Sequence, residues 1–248
     1  MTKTKKIDLN CDLGEGVNND PEIMPLITSC NIACGGHAGS LATIAQVIAL
    51  AKENRVRAGA HPSFPDKKNF GRQFLSMPIS LLRESLVGQI NILALECRRQ
   101  EVEMHHIKPH GALYNKCAVD KTYGEMMVSL TEEYFPKAKL YVPFGSVIAE
   151  IAKNRVEVSY EIFADRNYNA DHTLVSRKSE NALIINEEDL LKHILFMVKE
   201  GKIRTVNGME IPTRADTLCL HSDTPGASEM IKKINATLTE AGLLKTKL

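Results

Sequence analysis

Short apolar runs alternate with amphipathic helical stretches along almost the whole chain, and this alternation constrains the fold more than any other feature. The apolar runs end abruptly at polar residues or glycine, which is typical of strands. Strands joined by helical crossovers pair in parallel, so we predict an α/β fold, either a closed barrel or an open doubly wound sheet. The predicted strands span residues 6–10, 29–33, 56–60, 106–109, 139–143, 156–163 and 217–220. The predicted helices span residues 41–54, 78–99, 122–133, 146–153, 186–200 and 227–241.

The chain is predicted to be one domain. No internal repeat or low-complexity linker interrupts residues 1–248, and barrels of alternating strands and helices often have this length. One segment departs from the pattern, because residues 167–214 are too many for a simple crossover. We expect this segment to be an insertion at the active site, followed by a helix.

Composition and charge argue against several classes of protein. Apolar residues make up 44% of the chain, enough for a sizeable core, and the net charge of +1 comes without a basic stripe, which disfavours nucleic-acid binding. The basic start at residues 1–6 runs into Ile7-Asp8-Leu9-Asn10, so we expect neither a signal peptide nor a membrane span. The six cysteines form no C-x-x-C pair, which predicts reduced, buried thiols and a cytoplasmic protein.

Six of the predicted strands end at ionisable residues, and four of these ends contain glycine or proline. Because the carboxyl ends of parallel strands lie on the same face of a sheet or barrel, we expect these residues to converge on one pocket. Any one of them could be a helix cap or a solvated loop residue, but caps favour Ser, Thr and Asn over His and Lys. The six strand ends are CDLGEG at 11–16, CGGHAG at 34–39, HP at 61–62, HGALYN at 110–115, DR at 165–166 and HSD at 221–223.

Metal binding stays open at this point. Asp12, His37 and His61 could ligate a divalent metal with an open position, as in hydrolases. Cys30 and Cys34 have a loose metal-like spacing with His37, but Cys30 lies within a predicted strand. The chain has no phosphate-binding loop, no dinucleotide-binding glycine motif and no serine nucleophile elbow. A nucleotide would therefore bind in another way or on another chain.

Taken together, the motifs resemble those of the LamB/YcsF family. They occur in the family's order and cover nearly the whole chain. The matching segments are DLNCDLGEG at 8–16, SCNIACGGHAG at 29–39, GAHPSFPD at 59–66, NFGR at 69–72, KPHGALYN at 108–115, EIFADRNY at 161–168, LVSR at 174–177 and HSD at 221–223. Three departures lie beside the motifs: Ser40 replaces an acid, His172-Thr173 replaces a glycine before the leucine of LVSR, and Ser222 replaces the glycine of HGD.

The resemblance implies a fold and an activity. The fold is a deformed (βα)7 barrel, similar to a TIM barrel and related to the glycoside hydrolase/deacetylase superfamily. The activity is that of the A subunit of an ATP-dependent 5-oxoprolinase, which cleaves the lactam of 5-oxo-L-proline to L-glutamate. ATP is then a co-substrate accompanied by magnesium, and subunits B and C are the partners. Two alternatives remain, a metal-dependent deacetylase or glycosidase-type hydrolase, and a non-catalytic regulatory subunit.

The residue types suit this reaction, because a lactam carbonyl is a poor electrophile that phosphorylation by ATP would activate. A base must then activate water, and Asp12 or Glu15 could do so with a neighbouring histidine. Lys108 is a fixed cation for developing negative charge. Arg72 or Arg166 could clamp the substrate carboxylate with a planar fork. The predicted catalytic residues are Asp12, Glu15, His61, Lys108, His110 and Asp165. The predicted substrate-binding residues are Asn31, His37, Arg72, Asn115, Glu161, Arg166, His221 and Asp223.

Overall fold

The computed structural model describes residues 6–248. Residues 1–5, which form most of the basic start of the chain, lie outside the described residues. Seven parallel strands close into a barrel in the order β1-β2-β3-β4-β5-β6-β9, and β7 pairs with β8 in a separate antiparallel sheet. The strands are β1 (Asp8–Leu13), β2 (Ser29–Ala33), β3 (Arg57–His61), β4 (Met104–Ile107), β5 (Lys139–Pro143), β6 (Val158–Phe163), β7 (Lys202–Arg204), β8 (Glu210–Pro212) and β9 (Thr217–Leu220).

The last barrel strand decides between the two predicted architectures. In β9, Leu220 pairs with Cys11 of β1, and Cys219 pairs with Phe163 of β6. A strand bonded to both the first strand and the sixth leaves no open edge, which is how a barrel satisfies its backbone groups. The chain therefore folds as a deformed, seven-stranded TIM-like barrel, as expected from the resemblance.

Helices alternate with the barrel strands, and several begin at a side-chain cap. The hydroxyl of Ser40 accepts from the Thr43 N–H at the start of α2, and Asn186 caps α7 in the same way through Asp189. The helices are α1 (Asp20–Ile23), α2 (Leu41–Glu53), α3 (Ile79–Arg99), α4 (Gly111–Val119), α5 (Lys121–Tyr134), α6 (Val147–Ala152), α7 (Glu187–Glu200) and α8 (Ala227–Glu240). Of these, α1 and α4 have no counterpart among the predicted helices.

The barrel interior is polar over much of its length. Along β1, Asp8, Asn10 and Asp12 alternate with apolar residues, and all three are buried. Asn10 donates through Nδ2 to Oε1 of Glu161 in β6 (3.1 Å) and to Oγ1 of Thr217 in the neighbouring strand β9 (2.7 Å). TIM barrels usually fill this space with branched apolar side chains. Buried polar groups are tolerated only where they find partners, so this interior is a hydrogen-bonded network.

Two predicted strands were placed incorrectly along the chain. The first extends past the predicted end at residue 10 to Leu13, and the fourth begins at Met104 and ends at Ile107 rather than at residue 109. Strand β1 continues past its polar residues because the barrel interior provides hydrogen-bond partners for their side chains. Asp12 therefore lies within β1 rather than after it.

The segment between β6 and β9 contains the predicted insertion and its helix. Backbone bridges pair Arg166 with Leu183 and Tyr168 with Leu174, and α7 follows. The β7–β8 hairpin comes after α7 and has no predicted counterpart, because its strands are short and largely exposed.

The core lies between the barrel and its helices, with Leu9, Ile32, Ile107 and Leu218 fully buried. All six cysteines lie within the described residues, and each is buried and free, as predicted. None of the helices in residues 6–248 combines the length and the apolar character needed to cross a membrane.

Candidate active site

Side chains from five barrel strands meet at the carboxyl end of the barrel. Asp12 lies near the end of β1, His61 ends β3, and Lys108 follows β4. Asp165 follows β6 by two residues and His221 follows β9 directly. Lys108 Nζ lies 3.0 Å from Asp12 Oδ1, and His61 Nε2 lies 3.4 Å from Asp12 Oδ2. The predicted convergence of distant residues on one region is therefore present in the structure.

Lys108 is the cation at the centre of this region. Its ammonium lies 3.0 Å from each of three atoms, Asp12 Oδ1, Glu161 Oε1 and Cys219 Sγ, and its side chain is almost completely buried. Burial acts to lower the pKa of Lys108, but the charge of Asp12 leads the groups that outweigh it, and the pKa lies well above its ordinary value. Lys108 is therefore a permanent positive charge in a dry site.

A series of hydrogen-bonded side chains positions Asp12. Asn31 donates through Nδ2 to Oδ1 of Asp12 at 2.7 Å, and Asn31 Oδ1 in turn lies 2.7 Å from His106 Nε2. Burial raises the pKa of Asp12, but His61 and Lys108 outweigh burial and hold the pKa well below its ordinary value. Asp12 is therefore ionised at neutral pH. Asn31 was predicted to bind substrate, and in the structure its side chain donates a hydrogen bond to this carboxylate and positions it.

Beside Asp12, four side chains face one another: Glu15, His37, His61 and His110, which we call the imidazole group. His37 Nε2 lies 2.9 Å from Glu15 Oε1, and His61 Nε2 lies 2.9 Å from His110 Nδ1. The rings of His37 and His110 stack with centroids 3.7 Å apart. Burial lowers the pKa of His37 and, more strongly, that of His110, so both rings are neutral at pH 7.

The segment after β3 folds over the imidazole group. Phe70 lies edge-on to His37, and its carbonyl oxygen lies 2.9 Å from His110 Nε2. Gly71 has a φ of 61°, a conformation that favours glycine, and a Cβ at this position would press on the His37 and His110 side chains. This close approach accounts for the glycine in the NFGR motif.

Asp165 forms a second acid–imidazole pair on the same face. Both of its carboxylate oxygens lie 3.1 Å from His221 Nδ1, and Thr224 donates through its hydroxyl to Oδ2 at 2.7 Å. Burial alone would raise the pKa of Asp165, but His221 and the Thr224 hydrogen bond lower it to about 2. The ring of His221 stacks on Phe163, which fixes its orientation.

Arg72 and Asp223 provide accessible charges near this face. Their side chains form an ion pair and are 34% and 24% exposed, unlike the buried groups described above. The Arg72 guanidinium also lies over the Phe70 ring, 4.9 Å from its centroid. A guanidinium in this position can exchange its internal partner for the carboxylate of a ligand.

Two residues predicted to bind substrate have other positions. Arg166 is buried, and it donates through Nη2 to the Val175 carbonyl oxygen at 2.6 Å, so it holds the segment after β6 and is not free to clamp a ligand. Burial lowers the pKa of Arg166 to about 10. Asn115 lies on α4 and is exposed. Strand-end position alone could not distinguish these two residues from those that face the pocket.

Several residues of the site were missed by the sequence analysis. His106 and Cys219 contact Asn31 and Lys108 from within strands, where they resembled ordinary core residues. Tyr114 lies in the HGALYN motif, and this was the only signal for it. Burial and the neighbouring Glu161 carboxylate hold the pKa of the Tyr114 hydroxyl well above its ordinary value, so the two groups interact inside the site.

The predicted metal triad spans two adjoining clusters, since His61 Nε2 lies 3.4 Å from Asp12 Oδ2. Within residues 6–248, His37 and His61 group with Glu15 and His110, whereas Asp12 groups with Cys219 and His221. The looser combination of Cys30 and Cys34 with His37 forms no such group in the described part of the chain.

A closed parallel barrel whose carboxyl end carries buried acids, imidazoles and a lysine defines an α/β-barrel enzyme. The LamB/YcsF family model matches residues 7–248, and the chain belongs to that family.

Relatives that carry a name match the chain over nearly its full length. The protein from Neisseria meningitidis serogroup C that bears the name of the 5-oxoprolinase A subunit is 41% identical, over 96% of this chain and 98% of its own. The protein of the same name from Pyrococcus abyssi is 38% identical, over 96% of each chain. The crystal structure of a lactam utilization protein from Thermus thermophilus superimposes with a TM-score of 0.91 at 34% identity, covering 98% of this chain and all of the other.

Proposed function

We propose that this chain is the A subunit of a 5-oxoprolinase, an enzyme that opens the lactam of 5-oxo-L-proline to give L-glutamate with hydrolysis of ATP. One observation carries the proposal: relatives with this name match the chain over nearly the full length of both proteins. The designation as an A subunit implies a multi-subunit enzyme, and we propose subunits B and C as its partners. ATP, with magnesium, is the proposed co-substrate.

The chemistry begins with activation of the amide. Transfer of the γ-phosphoryl group of ATP to the lactam oxygen produces ADP and an electrophilic carbon. Addition of water to this carbon and cleavage of its C–N bond free the amine and leave an acyl phosphate. A second water releases phosphate and glutamate. Negative charge develops on oxygen in these steps, and Lys108, buried and permanently charged, is suited to stabilise it.

Activation of water is the proposed role of the imidazole group together with Asp12. Asp12 has a strongly lowered pKa, which makes it a weak base. As a stable carboxylate it positions Lys108 and His61 through the contacts described above. The neutral rings of His37 and His110 are better acceptors at neutral pH. Asp165 has a comparable anchoring role for His221.

Recognition of the substrate carboxylate is assigned to Arg72. Its planar guanidinium can bind a carboxylate through two parallel hydrogen bonds. Its present partner Asp223 is 24% exposed, so water can solvate part of that carboxylate when Arg72 exchanges it for the carboxylate of a ligand.

An omission experiment tests the proposal. Glutamate release from 5-oxoproline and ATP is measured with this chain alone, with subunits B and C alone, and with all three. We expect release only from the complete mixture and only when ATP is present. Equal release from B and C alone would show that this chain is dispensable and would overturn the proposal.

A further inference from the structure

The imidazole group directs four potential ligand atoms at a common point. Glu15 Oε1 lies 2.9 Å from His37 Nε2, 3.4 Å from His110 Nδ1 and 3.9 Å from His61 Nε2. We propose that this group binds one divalent transition-metal ion through Glu15, His37, His61 and His110, with zinc as the first candidate. Metal binding of this kind is a property of the chain itself and does not depend on the proposed reaction.

Two of the rings have their protonation fixed by backbone carbonyl groups. His61 Nδ1 lies 2.7 Å from the Lys108 carbonyl oxygen, and His110 Nε2 lies 2.9 Å from that of Phe70. A carbonyl oxygen can only accept, so both of these nitrogens carry the hydrogen. A ring with only that hydrogen presents a lone pair at its other nitrogen, which is Nε2 in His61 and Nδ1 in His110.

These two lone pairs face each other. His61 Nε2 and His110 Nδ1 are 2.9 Å apart, with Glu15 Oε1 and the Asp12 carboxylate within 4 Å of the His61 nitrogen. Acceptors at such separations repel one another unless a positive charge lies between them. Either one shared proton or a metal cation can supply that charge. A shared proton would bind only the two imidazoles, whereas the approach of Glu15 and His37 to the same point is what a cation requires.

The separations have the size that a small tetrahedral ion demands. Zinc binds imidazole nitrogen and carboxylate oxygen at about 2.0–2.1 Å, which places the ligand atoms of a tetrahedron about 3.4 Å apart. The observed distances of 2.9, 3.4 and 3.9 Å from Glu15 Oε1 bracket this value. Imidazole-rich sites favour zinc and its neighbours over magnesium or calcium.

The surroundings also match those of metal sites. Ligand histidines usually donate their other ring nitrogen to a carbonyl or carboxylate, as His61 and His110 do here.

Direct titration of the whole chain tests the inference. The purified protein is stripped with a chelator and titrated with Zn²⁺ by calorimetry, and bound metal is counted by elemental analysis. A parallel titration with Co²⁺ is followed by visible absorption, which reports tetrahedral coordination. The variant His110→Gln removes one ligand, and His105→Gln is the matched control, since His105 lies at the amino end of β4 outside the group. Circular dichroism checks that each variant is folded.

We expect one metal ion per wild-type chain and a tetrahedral cobalt spectrum. His110→Gln should weaken binding by roughly 100-fold or more, because even the outer partners of metal ligands contribute 10–100-fold. His105→Gln should bind as the wild type does. The inference is overturned if the stripped wild-type chain takes up no stoichiometric metal, or if His110→Gln binds as tightly as the control. Neither outcome depends on glutamate release, so failure here is distinguishable from failure of the proposed function.

Discussion

At the scale of single residues, burial separates the charges that hold the site together from those that can meet a ligand. Asp12, Lys108 and Glu161 are almost inaccessible and satisfy one another, whereas Arg72 and Asp223 are partly exposed. Both sets were predicted as site residues alike, because the sequence carries no information about side-chain direction. The structure supplies that direction, and with it a division of roles.

Arg72 is the residue whose replacement should affect substrate binding alone. We expect Arg72→Gln to raise the KM for 5-oxoproline by about tenfold or more, since loss of a charge-assisted hydrogen bond costs about 1.5–3 kcal/mol. Thermal stability should change little, because exposed ion pairs contribute about 1 kcal/mol or less. The matched control is Arg83→Gln, which breaks the exposed pair with Glu133 on the helical surface. Equal KM values for the two variants would remove Arg72 from substrate recognition.

Asp165 should make stability depend on pH. Its pKa in the folded chain is about 2, below the ordinary value of 3.8, so its stabilising effect is complete above the unfolded pKa and is lost as the pH falls through the folded one. The difference in free energy of unfolding between wild type and Asp165→Asn should therefore narrow by about 1 kcal/mol from pH 6 to pH 3. Urea unfolding at both pH values measures it. A constant difference would show that the pKa of Asp165 is not lowered in the folded chain.

At the scale of elements, strand positions could be predicted and barrel closure could not. Alternating hydrophobicity is a local signal, and it located all seven barrel strands to within a few residues. Closure depends on pairing between β6 and β9, which are separated by more than fifty residues, and no local pattern encodes that. Helix α4 was missed because it begins at Gly111, with a φ of 53° and no side-chain cap.

Strand β3 must approach its neighbour closely, and this requires glycine. A Cβ added at Gly59 would overlap the imidazole of His106, the ring that contacts Asn31. We expect Gly59→Ala to lower the free energy of unfolding by about 1–3 kcal/mol through overpacking. The control is Gly88→Ala in α3, where an added Cβ meets nothing within 4 Å. This change should instead stabilise the helix by about 0.5–1 kcal/mol. Urea unfolding measures the free energy of unfolding of both variants. Equal changes in the two variants would contradict the close packing of Gly59 against His106.

At the scale of the whole molecule, the parallel barrel explains why residues scattered from Asp12 to His221 could be placed together before any coordinates were known. All barrel strands point the same way, so all of their carboxyl ends share one face. The path of the insertion after β6 could not be foreseen in the same way. Carbonyl oxygens of this segment accept hydrogen bonds from Arg166. Arg166, one of the two residues predicted to bind the substrate carboxylate, therefore stabilises the fold of the segment.

The proposed function requires that this chain contribute chemistry to the assembled enzyme and not merely hold its partners. The most direct measurement is glutamate release by the three-subunit mixture with Asp12→Asn in place of the wild-type chain. The predicted result is a loss of roughly a hundredfold or more in turnover, with complex formation retained, while the exposed control Asp171→Asn keeps full activity. Unchanged turnover with Asp12→Asn would contradict a chemical role for this chain and favour a non-catalytic one.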